Sequence, residues 1–294
     1  MTKKTEKKVE KLPSKVKWMQ RFFKVAGEIA PASVLPIMVK ILFTPSKRKL
    51  RPPHEALLAQ AEKGILKTHE FQAPDKKLKV AYYTWGQGDK TVILVHGWDA
   101  KALDYYKLIP ILLEQGYKVI AFDGPAHGQS EGESTHLMHF RYVIEDLIKK
   151  VGEPYAIVGH SMGGGAACYL LMESNLQIKR LALLAIPIVS QRYFEGMFNF
   201  MKVPTKMQKL FFKGFKERLG VGIEHYNLIT RPEVIKAEEI LFMFDPHDEV
   251  ISLKDNKEFL NARPSIKSLE IKDSGHNGIL KDKRMFDALV EFLR

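Results

Sequence analysis

The run Ile157-Val158-Gly159-His160-Ser161-Met162-Gly163-Gly164-Gly165 places a serine between glycines at the end of an apolar stretch. A serine hydroxyl is a weak nucleophile, so acyl-transfer chemistry needs it on a tight strand-to-helix turn, where a base reaches it and the next backbone N–H faces the substrate. Gly-x-Ser-x-Gly is such a turn. A Cβ at position 159 or 163 would strike neighbouring backbone in so sharp a bend, and Gly164 and Gly165 let the following helix approach the sheet. The flanks agree, since Tyr155 to Gly159 reads as a buried strand and Ala166 to Glu173 as a helix. The plain alternative is a glycine-rich turn with no chemistry.

An activating base and an acid are needed next, and both lie downstream. Glu239 to Phe244 reads as a strand followed by Asp245-Pro246-His247-Asp248-Glu249-Val250. Ile266 to Ile271 reads as another, followed by Lys272-Asp273-Ser274-Gly275-His276-Asn277. Ser161, Asp248 and His276 form a candidate triad. Asp245 rivals Asp248 as the acid because it also follows the strand directly. His247 competes as the base, although it is too close to Asp248 in sequence to accept its orienting bond easily. His96 and His127 read as turn residues, His160 as core-facing, and His136, His139 and His225 as helix or loop residues. Asp123 ends an earlier strand, where a carboxylate commonly bonds turn amides. His-Glu-x-x-His and paired-cysteine spacings are missing from the sequence, so neither a metal nor a cofactor is expected.

Five motifs together resemble the α/β-hydrolase superfamily, close to its bacterial esterase-like branch, over about three quarters of the chain from Lys77 to Arg294. Beyond the serine turn and the two loops, Thr91 to Trp98 resembles the strand and His-Gly loop that supplies half of an oxyanion hole. Ala121 to Ser130 resembles the Asp-x-x-Gly-His-Gly-x-Ser turn, with Ala126 where glycine is usual. The resemblance implies an order of nucleophile, acid and histidine along the chain. It also implies an oxyanion hole made by the backbone N–H groups of Trp98 and Met162. The expected activity is cleavage of small-molecule carboxylic esters through an acyl-enzyme, with an apolar acyl or alcohol group. The same triad also serves acyltransferases and C–C bond hydrolases. A third reading, of another class, is a membrane-docked binding protein on a hydrolase scaffold without turnover. Dehalogenase chemistry would need a carboxylate at position 161.

The elements that must carry these residues alternate between strand and helix. Leu78–Trp85, Thr91–Val95, Lys118–Phe122 and Lys179–Ile186 read as further strands, with helices at Leu103–Gln115, His139–Lys150 and Met285–Leu293. Such alternation predicts an α/β fold, a mostly parallel sheet covered by helices on both faces. From about 187 to 235 there is no good strand, and Phe194, Phe198, Met207, Phe211 and Phe215 recur with lysines at three- or four-residue spacing. That predicts a helical cap inserted before the acid-bearing strand. With 294 residues and 45% apolar content the chain can bury a full core. The expected organisation is an arm at 1–51, a linker or helix at 52–76, and a hydrolase domain at 77–294. The single cysteine, Cys168, allows no internal disulfide and suggests a reducing, cytoplasmic setting.

Charge is concentrated at one end. Residues 1–51 hold fourteen lysines and arginines against three glutamates, a net of +11 out of the formal +12. The remaining 243 residues are close to neutral. Trp18, Phe22, Phe23, Val25 and Ile29 interleave with Lys15, Lys17, Arg21 and Lys24. The stretch from Phe22 to Phe43 is interrupted by charges, Pro31 and Pro36, so a membrane span is not expected, and the long basic leader without a clean small-residue cleavage site argues against a secretory signal. Two readings of the arm remain open. Either its apolar residues pack on the body and its lysines are solvated, or residues 1–43 make peripheral contact with an anionic membrane. Nucleic acid is not an expected partner, since no recognised module accompanies the basic run.

Overall fold

Strands β3 (Thr91–Val95), β4 (Lys118–Phe122) and β5 (Ala156–His160) are buried along nearly their whole length. Successive strand residues point to opposite faces, so burial of all of them requires cover on both sides. The computed structural model describes residues 13–70 and 73–294, and the lysine-rich tip falls outside them. Its eight-stranded sheet runs in the order β1-β2-β4-β3-β5-β6-β7-β8. β1 (Glu62–Glu70) pairs antiparallel with β2 (Ala73–Trp85), and β2 pairs antiparallel with β4. β6 (Ile178–Leu184), β7 (Ala237–Phe244) and β8 (Lys267–Glu270) continue the parallel series from β5. This is the α/β-hydrolase architecture.

Pairing of Val95 with Gly159 and of Gly159 with Leu183 sets the ends of three parallel strands side by side. Loops leaving those ends therefore start from one rim, where an α/β sheet places its chemistry. On one face Val92, Leu94, Val158 and Leu184 join a cluster with Leu108 and Leu112 of α4 (Leu108–Glu114) and Phe286 and Leu289 of α10 (Lys283–Leu293). The other face is covered by α5 (Leu137–Val151) and α6 (Met162–Glu173). Residues 52–76, expected as linker or helix, hold α3 (Pro52–Ala59) and the edge strand β1. The charged alternation of β1 hides a strand in the sequence. Its Leu66 and Thr68 are buried, Ile65 is exposed, and Gly64 leaves room for the Tyr82 ring.

By internal contacts the chain divides into two units. The larger comprises Lys40–Ser190 with Tyr226–Arg294, and the smaller joins residues up to Val39 to Gln191–His225. In the smaller unit α1 (Ser14–Ile29) packs on α8 (Thr205–Leu219), where Gly27 faces Met207 and Pro204 so closely that a Cβ would lie 3.0 Å from each. The Gln20 side chain donates to the Phe200 carbonyl at 2.6 Å, and Lys206 pairs with Glu28 at 2.8 Å. Phe198 of α7 (Ser190–Phe200) and Phe211 of α8 form an edge-to-face pair with centroids 5.0 Å apart. α2 (Pro31–Phe43) follows α1 after Ala30. No helix of the described residues is long and apolar enough to cross a membrane.

Candidate active site

Ser161 sits between β5 and α6 with φ 50 and ψ −125, a left-handed conformation that a residue with a Cβ adopts only under constraint. The constraint is visible. Its N–H donates to the Leu184 carbonyl at 2.8 Å, its carbonyl accepts from Gly165 N at 3.1 Å, and the surrounding glycines allow no side chain. A Cβ at Gly159 would lie 2.4 Å from Gly164 Cα, and one at Gly163 2.4 Å from the His96 carbonyl oxygen. The sharp turn the sequence predicts is present.

Three loops leaving the same rim bring the expected side chains together. His276 Nε2 lies 3.0 Å from Ser161 Oγ, and His276 Nδ1 lies 2.8 Å from Asp248 Oδ2. The Asp248 side chain is fully buried, and that of His276 is 13% exposed. Its other oxygen, Oδ1, accepts from Val250 N at 2.7 Å and Ile251 N at 3.1 Å, so the turn after β7 fixes the carboxylate. A carboxylate on Nδ1 requires the proton there, leaving the Nε2 lone pair for the serine proton.

The loop after β3 closes on the serine. A Cβ at Gly97 would fall 2.9 Å from Ser161 Cβ, which brings the Gly97–Trp98 peptide up to the turn. His96 is fully buried, its Nδ1–H donates to the Gly97 carbonyl at 2.7 Å, and its Nε2 accepts from Gly124 N at 2.8 Å. In a trans peptide the C=O and N–H point in opposite directions, and no cis bond occurs among the described residues. His96 therefore aims the Trp98 N–H by holding the carbonyl of the same peptide. Burial drives the His96 pKa well below its usual value, so it stays neutral and keeps both bonds. Met162 opens α6, where the first N–H groups lack intrahelical partners.

The rival residues have other work. Asp245 accepts from His247 N at 2.9 Å, Asp273 N at 3.2 Å and Gly275 N at 2.6 Å, which ties the loop after β7 to the loop carrying His276. Burial raises its pKa, but these three N–H bonds outweigh that and hold it below the usual carboxylate value. His247 is exposed and meets Asp273 at 3.1 Å, remote in bonding from the serine. Asp123 accepts from Ala102 N, Gln129 N and the Tyr83 hydroxyl, each at 2.9 Å. Ala126 takes φ 65, the left-handed region that explains why glycine is usual there. Cys168 is buried, and burial pushes its thiol up to about 12.

Reading the sequence as core-facing at His160 misses a role. The His160 ring is buried and its Nε2 lies 2.9 Å from the His276 carbonyl oxygen. A carbonyl only accepts, so Nε2 carries the proton and steadies the backbone of the histidine beside Ser161. Burial lowers the His160 pKa to about 3 and keeps the ring neutral. Sequence carries no signal for this contact, because 116 positions separate the two residues.

Comparison with known proteins agrees with this architecture. The sequence pattern of the family described as serine aminopeptidase, S33, matches residues 86–240, more than half of the chain. The dihydrolipoyllysine-residue acetyltransferase component of the acetoin cleaving system of Cupriavidus necator is 32% identical over 128 residues, 40% of this chain and 33% of that protein. The bifunctional esterase/perhydrolase DCH of Acinetobacter calcoaceticus is 31% identical over 114 residues, 37% of this chain and 41% of that protein. The chain thus spans less than half the length of these curated relatives. An esterase of Pyrococcus furiosus shares the fold with a TM-score of 0.60 and 21% identity, over 85% of this chain and 95% of that one. The chain belongs to the S33 family of the α/β-hydrolase superfamily.

Proposed function

We propose that the protein is a serine hydrolase that cleaves carboxylic esters through an acyl-enzyme, with Ser161 as nucleophile, His276 as base and Asp248 as the acid that orients it. The observation that carries this reading is the chain of hydrogen bonds from Ser161 Oγ through His276 to Asp248, at 3.0 and 2.8 Å, with the serine on a strained turn. Ser161 Oγ attacks the ester carbonyl as its proton passes to His276 Nε2. The negative charge that develops on the carbonyl oxygen is met by the Trp98 and Met162 N–H groups. Collapse breaks the C–O bond to the alcohol, which takes the proton from Nε2. Water then attacks the acyl-enzyme with His276 again accepting a proton, and the acid leaves as Ser161 recovers its own.

The substrate in this reading is a small-molecule ester with an apolar acyl or alcohol group, selected by the cap at about 187–235. The support is its place in the chain before β7 and its run of Phe and Met side chains, a surface that suits apolar groups. A series of aryl esters of increasing acyl length tests this. Turnover rising with chain length, with an initial burst of released phenol, is the expected result; cleavage limited to acetate without a burst would remove the apolar preference and the accumulating acyl-enzyme. We propose in addition that residues 1–43 make peripheral contact with an anionic membrane, on the strength of their charge.

A further inference from the structure

The smaller unit carries nearly all of the charge. Its residues, up to Val39 and from Gln191 to His225, include sixteen lysines and arginines against six glutamates, a net of +10 out of the chain's +12. Helix α1 carries an apolar face that is not used in packing. Gln20, Phe23 and Gly27 are its buried residues. At 100° per residue they fall on one side of the helix, whereas Trp18, Phe22, Val25 and Ile29, spaced four, three and four apart, fall within about 60° on the opposite side.

That second face is open. Trp18 is 67% exposed, Val25 52% and Ile29 80%, and the Trp18 and Phe22 rings stack at 5.5 Å. An ordinary soluble helix puts polar residues there. Lys17, Arg21 and Lys24 line one edge of the stripe and Lys15 the other, all exposed. The edge with Lys17 and Lys24 also holds Glu28, which pairs with Lys206. From Lys206 a second exposed row, Lys209, Lys213 and Lys216, runs along one side of α8 at three- and four-residue spacing. The unit thus combines a stripe of indole, phenyl and branched aliphatic groups with flanking cations.

We infer that the smaller unit is an interfacial docking module, in which α1 lies in the plane of an anionic bilayer with Trp18, Phe22, Val25 and Ile29 inserted and the lysines of α1 and α8 on the phosphates. This rests on the proposed membrane contact of residues 1–43 and adds the inserted face and the part taken by α8. Charge decides the occupant. A second copy of this chain would bring an equally basic unit against the stripe, and the two would repel, whereas an anionic lipid surface offers both the opposite charge and an apolar layer. Indole rings favour the depth between headgroups and acyl chains.

The test is sedimentation of the full-length protein with vesicles of phosphatidylcholine containing phosphatidylglycerol, at low and high salt. The comparison is wild type against Trp18→Glu/Val25→Glu and against Lys209→Glu/Lys213→Glu/Lys216→Glu, with labelling of Ser161 by a fluorophosphonate as the control for an intact body. Both variants should lose about tenfold or more in vesicle partitioning at low salt while labelling as wild type does. Quenching of tryptophan emission by brominated lipid should fall sharply in Trp18→Phe, since Trp85 is buried and the half-buried Trp98 belongs to the larger unit. Vesicle binding that is salt-sensitive yet unchanged in the Trp18/Val25 variant would overturn insertion and leave only the charged arm. A wild type that never sediments would end both ideas, and loss of a dimer rather than of vesicle binding would identify a second copy as the occupant.

Discussion

His160 donates from Nε2 to the backbone carbonyl of His276 at 2.9 Å, so the residue just before the proposed nucleophile holds the residue proposed to activate it. The bond couples the loop after β8 to the end of β5. Any shift of one would change the 3.0 Å separation between Ser161 Oγ and His276 Nε2.

Replacing His160 with phenylalanine should therefore lower kcat by about ten- to a hundredfold with little change in KM, because substrate contacts remain while the base loses its positioning. His160→Gln, which can still donate to the carbonyl, should recover part of the loss. Equal kcat in the phenylalanine variant would leave His160 a packing residue.

The two aspartates after β7 separate by kind of damage. Asp248→Asn should leave the imidazole in the wrong tautomer and lower kcat by about a thousandfold or more. Asp245→Asn removes a carboxylate oxygen that takes the Gly275 N–H at 2.6 Å. It should cost roughly 1–3 kcal/mol of stability, and kcat should fall much less. Kinetics and urea unfolding of both variants check this, and the opposite order would move the acid role to Asp245.

Ser161 and Asp248 are proposed from the sequence because each follows an apolar strand, and His276 because it follows the last strand, β8, in the order the superfamily resemblance implies. The supporting contacts are not. His96 with Gly124, Asp245 with Gly275 and His160 with His276 are separated by 28, 30 and 116 positions, and only the sheet register makes them neighbours. The same reason hides the smaller unit, whose Gln20 meets Phe200 across 180 positions. The fold class follows from strand-helix alternation, whereas β1 is masked by the lysines on its exposed face and the glutamates at its two ends. His96, His127 and His160 look like unremarkable turn or core residues until their burial is seen.

Those three histidines should make the protein acid-sensitive. Burial holds the His127 pKa at about 4 and the His160 pKa at about 3, with His96 also depressed. In the unfolded chain each takes up a proton near pH 6.5. A depressed folded value means that this part of the stability is complete above pH 6.5 and is lost as pH falls toward the folded values. Each histidine contributes up to about 1.4 kcal/mol per pH unit to that slope. Urea midpoints should fall markedly between pH 7 and pH 5, with a shallower fall in His127→Gln; a flat profile would mean the rings are protonated without cost.

The claim that Ser161 is an activated nucleophile has the most direct check. Purified protein is treated with a fluorophosphonate probe beside Ser161→Ala, and the adduct is located by mass spectrometry of the digest. The expected result is one adduct on the peptide containing Ser161, none in the variant, and loss of several orders of magnitude in aryl-ester turnover with unfolding behaviour preserved. Labelling and turnover that persist in Ser161→Ala would contradict the account.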